Sequence, residues 1–596
     1  MNRNAAGFAV LRRRGNARGH RRPAAALAIA GMGALLPHAG AAQTLPPARA
    51  PIAPSQVTPR SLLPQQATLP ATIDLPQSRP GEIPPGADTI AVTILRIEAD
   101  GGYPEMAAAT NAIVAPIAGR RGTVADLFRA AGALEQAYAD AGYFLARVIV
   151  AKQRVDDGGV FRIKVVEGFI EAVDVSAVPG RARTPVAARL ASVIGDRRLT
   201  LARMQHRLTL ASGVPGLTLR STLARGEQPG GTKLILDGRH ELAGGGIGGD
   251  NRLGSSFDDW GINIQAQLNS PTGNGEQVYL FLSGEPRLDR AFRGNAPRRV
   301  AGGGVIVPVG GEGVTINPEF TVSDTNPLVL NPLFRSNGRL YRGALNLSAP
   351  VITTAIGVLT ARTGLEIASE TQRLPAFDAV IAKDRLTVLR GGMSWQGQPQ
   401  RSGTAAVVIT LSQGVGLFGA RSAAEIAASD ASASRGSDPR FTRIEARAAL
   451  SRTLASGIVA DVIVRGQTSF GTVVPNSETF DLTGLDSVSS FTAGALNADG
   501  GVTVRGEVAR AWLLPIGGSN VQIVPYVFAA GGRAHLIRAD PFFPTVAAAY
   551  GIGMRLAAGG LPLGAAPSVT LEYGRGDANR AVRLRDRLNI ALGVQF

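Results

Sequence analysis

No cysteine occurs among the 596 residues, which excludes disulfide frameworks, thiol nucleophiles and Cys-ligated zinc. Histidine is scarce as well. The five present (His20, His38, His206, His240, His535) are isolated from one another, so no metal-ligand spacing exists and no metal is expected. No G-x-S-x-G elbow occurs, and no carboxylate pair stands out, since Arg505 and Glu507 read as neighbours balancing each other on one strand face. Neither an enzyme nor a cofactor is therefore expected. Beyond the first 42 residues no charge-free apolar run approaches the roughly 20 residues that a membrane-crossing helix needs. If the chain spans a membrane, it does so with strands.

What is abundant points the same way. Glycine (74) and proline (37) are plentiful while aromatics make up 5%, a composition that suits many strands and turns. The formal charge of +17 raises nucleic acid as a partner, but its distribution argues against one. Seven arginines and no acids fall in the first 42 residues; the remainder carries 55 basic against 45 acidic residues, without a basic run. That first segment, residues 1–42, has the anatomy of a secretory signal peptide. An Arg-rich start is followed by 13 apolar residues from Ala24 to Leu36 and by small residues from Ala39 to Ala42.

Residues 43–87 form a Pro-rich linker. Eleven prolines between positions 43 and 86 forbid a regular helix and favour an extended, semi-rigid chain. From 88 to 168 the pattern becomes that of a small α+β module. A strand from Ile90 to Glu98 precedes a helix with Val124, Leu127, Phe128, Ala131, Leu134 and Tyr138 at helical spacing. Thr123 and Asp126 form its capping box, and Gly142 its stop. Strands follow at Val148–Val150 and Val160–Val166. Residues 169–238 repeat the order, with a helix expected to start at Thr184 as N-cap and Pro185 as first residue, and a second from Thr200. Strands at Leu217–Leu223 and Lys233–Leu236 complete two consecutive β-α-α-β-β units.

From 240 to 596 helical periodicity gives way to period-two alternation. Trp260, Ile262, Ile264, Ala266 and Leu268 alternate with small or polar residues, as do Tyr550, Ile552, Met554 and Leu556. A lipid-facing, polar-lumen barrel requires this pattern. The last residues, Leu588, Ile590, Leu592, Val594 and Phe596, alternate up to a terminal aromatic, which resembles the signal read by the barrel-assembly machinery. The 357 residues at about 22 per strand and connection give about 16 strands, with Ser422–Pro439 as a long outer loop. Gly244, Gly246 and Gly249 satisfy G-x-G-x-x-G but lack the strand–helix context of a dinucleotide site, and read as small residues easing the start of the first barrel strand.

Two such modules before a barrel of this size resemble the two-partner-secretion outer-membrane transporters, the haemolysin secretion/activation protein family, whose modules are POTRA domains. Tyr138-Ala139-Asp140-Ala141-Gly142-Tyr143 resembles a segment of the first POTRA domain, and Val166-Glu167-Gly168 with Ile170 and Glu171 the module junction. Asp250, Asn251 and Gly254 are similar to the barrel's opening motif, and Gly273-Asn274-Gly275-Glu276 to its first hairpin turn. The family's inward loop, with its Val-Arg-Gly-Phe/Tyr motif, corresponds to Phe480–Gly494. The motif positions read Val488, Ser489, Ser490 and Phe491, and the facing strand motif reads Phe528, Ala530 and Gly532, so the family's arginine and aspartate are both missing. A buried charge without its partner costs several kcal/mol, so joint loss implies a loop held in another way. The Pro-rich linker stands where the family has a pore-plugging helix.

The resemblance implies α+β periplasmic POTRA domains followed by a transmembrane antiparallel β-barrel in the outer membrane, translocating a secreted exoprotein captured unfolded and threaded through the barrel. Capture by strand addition would use the sheet edges Val148, Ile149 and Val150 or Leu217, Leu219 and Leu223. Outer-membrane lipid is the implied surroundings, with the barrel-assembly machinery and periplasmic chaperones as partners in biogenesis and no nucleic acid. An insertase of other barrels and a passive porin-like channel are the alternative functions.

Overall fold

A computed structural model describes residues 52–64, 83–291, 293–354, 356–400, 402–516, 519–559, 564–580 and 585–596. The expected signal peptide, 1–42, and the linker stretches 43–51 and 65–82 lie outside the described residues.

The first module comprises β1 (Ala91–Asp100), α1 (Ala107–Val114), β2 (Arg120–Thr123), α2 (Val124–Asp140), β3 (Arg147–Val150) and β4 (Gly159–Val166). Its sheet runs β2-β1-β4-β3, with β1 and β4 parallel. Phe161, Ile163 and Val165 of β4 alternate inward onto Leu127, Leu134 and Tyr138 of α2. At the start of α2 the Thr123 N–H donates to the Asp126 carboxylate at 2.7 Å, which holds that carboxyl below its ordinary range. The module is not a plain β-α-α-β-β unit. Arg120–Thr123 adds an edge strand to β1, a stretch too short and too polar to register as a strand by alternation.

The second module comprises β5 (Phe169–Ala177), α3 (Gly180–Leu190), α4 (Leu201–Ser212), β6 (Leu217–Arg225) and β7 (Gly231–His240), with sheet order β5-β7-β6. Val186, Leu190, Met204, Leu208, Leu234 and Leu236 form its core. Here one expectation fails: α3 begins at Gly180, and Thr184 and Pro185 lie inside it. A proline in a helix leaves the carbonyl four residues earlier without its N–H partner. In this helix that carbonyl belongs to Arg181, and the Ser270 hydroxyl from the barrel's first turn donates to it at 3.0 Å. The tertiary contact removes the penalty that makes Pro185 look like a helix start.

The modules are joined tightly. Phe144 and Leu145 of the first pack on the core of the second, and the Leu201 N–H donates to the Gly142 carbonyl at 2.9 Å. Gly168 between them is obligatory, since a Cβ there would lie 2.0 Å from the Leu145 carbonyl oxygen. The Tyr103 hydroxyl donates to the Arg197 carbonyl across the same junction, and burial pushes its pKa up to about 12, so it remains a donor.

The rest is a closed barrel. Its strands are β8 (Ala243–Asp250), β9 (Gly261–Asn269), β10 (Gln277–Gly284), β11 (Arg298–Val309), β12 (Val314–Thr325), β13 (Asn337–Thr354), β14 (Gly357–Leu374), β15 (Ala379–Gln400), β16 (Gly403–Val415), β17 (Thr442–Thr453) and β18 (Ile458–Thr468). A small ribbon, β19 (Phe480–Asp481) with β20 (Asn497–Ala498), interrupts the series. Then come β21 (Gly500–Arg510) with its continuation β22 (Trp512–Ile516), β23 (Ser519–His535), β24 (Val546–Gly559), β25 (Ala566–Ala578) and β26 (Arg585–Gln595). Counting β21 and β22 as one strand, because both pair with β23, the described residues form 16 antiparallel strands.

The wall is apolar outside and polar inside. On β12 the outward Phe320 is 54% exposed, while Glu319, Thr321 and Ser323 on the alternate face are buried. The outward Leu588, Leu592, Val594 and Phe596 near the C-terminus are exposed in the same way. Among the described residues no helix is long and apolar enough to cross a membrane; the barrel crosses with strands.

Candidate functional site

The barrel closes where β26 meets β8, over only five register pairs, from Ala591 opposite Asp250 to Gln595 opposite Gly246. The asparagine of the opening motif extends this seam. Asn251 accepts from the Ile590 N–H at 2.9 Å and donates to the Leu588 carbonyl at 2.8 Å through its side-chain amide. Gly245 needs to be small, because a Cβ there would come within 2.6 Å of the Gln265 carbonyl.

The connection between β18 and β21, residues 469–499, folds back into the lumen. Phe480, Leu482, Val488, Phe491, Leu496 and Ala498 pack on Ala509 of β21, Tyr526, Phe528 and Ala534 of β23, and Ala547 and Ala549 of β24. Of the facing strand motif, Phe528 is part of this cluster, Ala530 is half-buried, and a Cβ on Gly532 would lie 3.2 Å from Leu482.

The loop is held by inverted charge. Arg505, on the barrel wall, donates to the Ser489 hydroxyl at 2.9 Å, to Glu572 at 2.6 Å and to Glu507 at 2.8 Å. Its guanidinium lies 4.0 Å from the centre of the Phe528 ring. Arg505 and Glu572 are each 1% exposed, so these charges compensate one another within the wall, and at Arg505 the loop contributes only the neutral Ser489 hydroxyl and the Ser487 carbonyl. The Ser489 carbonyl accepts from the Asn589 amide at 3.0 Å, and the Ala493 N–H donates to the Arg252 carbonyl at 2.9 Å. The loop tip thus rests on both sides of the seam. Ser490 sits over β25, where a Cβ on Gly574 would meet its oxygen at 2.7 Å and one on Gly576 its Cβ at 2.7 Å.

The loop base has a second clamp. Glu478 is fully buried and takes Arg390 at 2.7 Å and Arg443 at 2.5 Å. Asp499 accepts from the Val474 and Ile537 N–H groups and pairs with Arg435 at 3.0 Å. Sequence reading found the Arg505–Glu507 pair but none of these partners. The ion-paired partners lie 35 to 88 residues apart along the chain, and only the closed register brings them together.

The proline-rich segment is more than a linker. Residues Ile52–Pro64 lie inside the barrel against β11 to β14, with Pro54–Gln56 as one short 3-10 turn and no α-helix among them. Val57 packs on Leu253 and Phe257, and Leu62 on Tyr279, Phe281 and Val300. Arg60 bridges to Glu445 at 2.7 Å and to the Thr479 carbonyl at 2.8 Å, which ties the segment to the loop base. Proline makes the chain extended; the lumen's side chains satisfy its polar backbone and so allow it to be buried.

The proposed capture positions lie on sheet edges. Val148, Ile149 and Val150 form β3, which pairs with β4 alone, and Leu217, Leu219 and Leu223 belong to β6, which pairs with β7 alone. The two edges differ. The Val148 N–H already donates to the buried Glu135 carboxylate at 3.0 Å, whereas no described group occupies the outer edge of β6.

Two comparisons with known proteins agree with this architecture. The profile of the haemolysin secretion/activation protein family ShlB/FhaC/HecB matches residues 230–556, and that of the ShlB-type POTRA domain matches residues 92–168. Among solved structures, the chain is similar to CdiB from Escherichia coli, with a TM-score of 0.68 at 18% identity over 91% of this chain and 94% of that one. It is also similar to CdiB from Acinetobacter baumannii, with a TM-score of 0.58 at 15% identity over 89% and 94%. No curated protein sequence matches. Fold and profile together place the chain in the haemolysin secretion/activation protein family, as an outer-membrane β-barrel transporter that secretes a partner exoprotein.

Proposed function

We propose that both modules stand in the periplasm, that the exoprotein reaches them unfolded, and that its chain adds to the outer edge of β6 before threading through the barrel. The observation that carries this is the combination of one open sheet edge next to the barrel with a polar lumen. Strand addition gives affinity through main-chain hydrogen bonds with little demand on sequence. The second module sits directly on the barrel's turns: Ser270 bonds Arg181, and Arg207 pairs with Glu312 at 2.8 Å. A chain held on β6 is therefore delivered to the lumen mouth. Periplasmic chaperones and the barrel-assembly machinery act on the transporter during biogenesis, and outer-membrane lipid surrounds its apolar wall. The filled lumen speaks against a passive porin.

Deletion of residues 88–237 tests the capture step. A barrel that still assembles but no longer releases the exoprotein supports it; undiminished secretion refutes it.

A further inference from the structure

The groups that hold residues 52–64 in the lumen recognise backbone more than side chain. Glu370 accepts from the Ser55 N–H at 3.2 Å, and Glu319 from the Leu62 N–H at 3.0 Å. Arg298 donates to the Val57 carbonyl at 2.9 Å and Arg342 to the Pro59 carbonyl at 2.5 Å. All four side chains are at least nine-tenths buried, and they come from β11, β12, β13 and β14, one from each strand. Glu319 is further oriented by the Tyr279 hydroxyl, which donates to it at 2.9 Å and accepts from Asn317. Side-chain contacts add to these: the Ser55 hydroxyl to Glu370, the Thr58 hydroxyl to Ser323 and the Ser61 hydroxyl to Glu319.

Two carboxylates facing backbone N–H groups at the two ends, with two guanidiniums facing carbonyls between them, make a neutral track for an extended polypeptide. Their other partners are few. Glu370 has no hydrogen-bond partner besides Ser55 among the described residues, and Arg298 keeps only Ser283 once Val57 leaves. A buried charge stripped of its partner is costly, so the track favours replacement of its occupant by another chain over an empty state.

We propose that these four residues form a sequence-tolerant binding track for extended polypeptide, that residues 53–62 are its resident occupant, and that the exoprotein chain takes the same positions when it passes. This rests on the threading reading but is testable without any exoprotein.

Because the chain lacks cysteine, Leu62→Cys in the full-length protein gives a single reporter whose labelling by a membrane-impermeant thiol reagent measures how often the segment leaves. The probe is a synthetic 13-residue peptide with the sequence of residues 52–64, and a second of unrelated sequence with the same proline spacing. Both peptides, in excess, are expected to raise the labelling rate at least fivefold. Glu319→Gln with Arg342→Gln should raise the basal rate and reduce the peptides' effect. Ser55→Ala, which leaves the wall intact, should raise the basal rate while preserving the response to peptide. Resistance of each variant to unfolding in SDS reports that the barrel is formed. A labelling rate indifferent to both peptides, or a response to the native sequence alone, overturns the proposal. Neither result depends on secretion, so failure here is distinct from failure of the threading reading.

Discussion

Replacing Arg505 with methionine removes the group on which the inward loop rests. The guanidinium is buried and serves Glu507, Glu572 and Ser489 together. Breaking a buried pair by removing one partner costs about 3–5 kcal/mol, because a charge is left uncompensated. The lower end applies here: Glu507 keeps Arg555, and Glu572 keeps the Tyr526 hydroxyl at 2.9 Å. A destabilisation of about 3 kcal/mol should lower the temperature at which the folded barrel converts to the unfolded band on an SDS gel. It should also open the loop to protease between Gly484 and Gly494. Adding Glu572→Gln should recover part of the loss, since the uncompensated charge is then gone. If Arg505→Met leaves both readouts unchanged, or if the two substitutions simply add, the inverted-charge account of the loop is wrong.

Other outcomes follow from the same geometry. Asn251→Ala removes two hydrogen bonds from a seam of five register pairs and should cost about 1–3 kcal/mol, seen as a lower conversion temperature on the gel. Arg60→Glu sets like charge against Glu445 and should raise single-channel conductance in a planar bilayer by freeing the segment. Proline placed in turn at Leu219 and Arg220 should block secretion at the position whose N–H lies on the outer edge of β6, because alternate N–H groups face opposite sides in an antiparallel strand. The other position weakens the pairing with β7 instead, which circular dichroism of the protein would show.

Much of this architecture was legible in the residues. The alternation of Phe161, Ile163 and Val165 set β4, and the period-two pattern from 240 onward marked a barrel. Thr123 with Asp126 marked the start of α2. What could not be read depends on distant partners. Pro185 looked like a helix start because Ser270, which satisfies the carbonyl it frees, comes from another domain. Residues 52–64 looked like a free linker because the arginines that bind their carbonyls lie on β11 and β13. The serines at 489 and 490 announced a missing arginine. That its replacement is Arg505 on the wall, paired with Glu572, required the closed register.

The most direct test of transport through this lumen is photo-crosslinking during secretion. A photoreactive residue at Thr321, which faces the lumen beside the segment, should trap the exoprotein, while the same residue at Phe320, which faces lipid, should not. Equal trapping at both positions, or trapping at Phe320 alone, would contradict passage through the barrel.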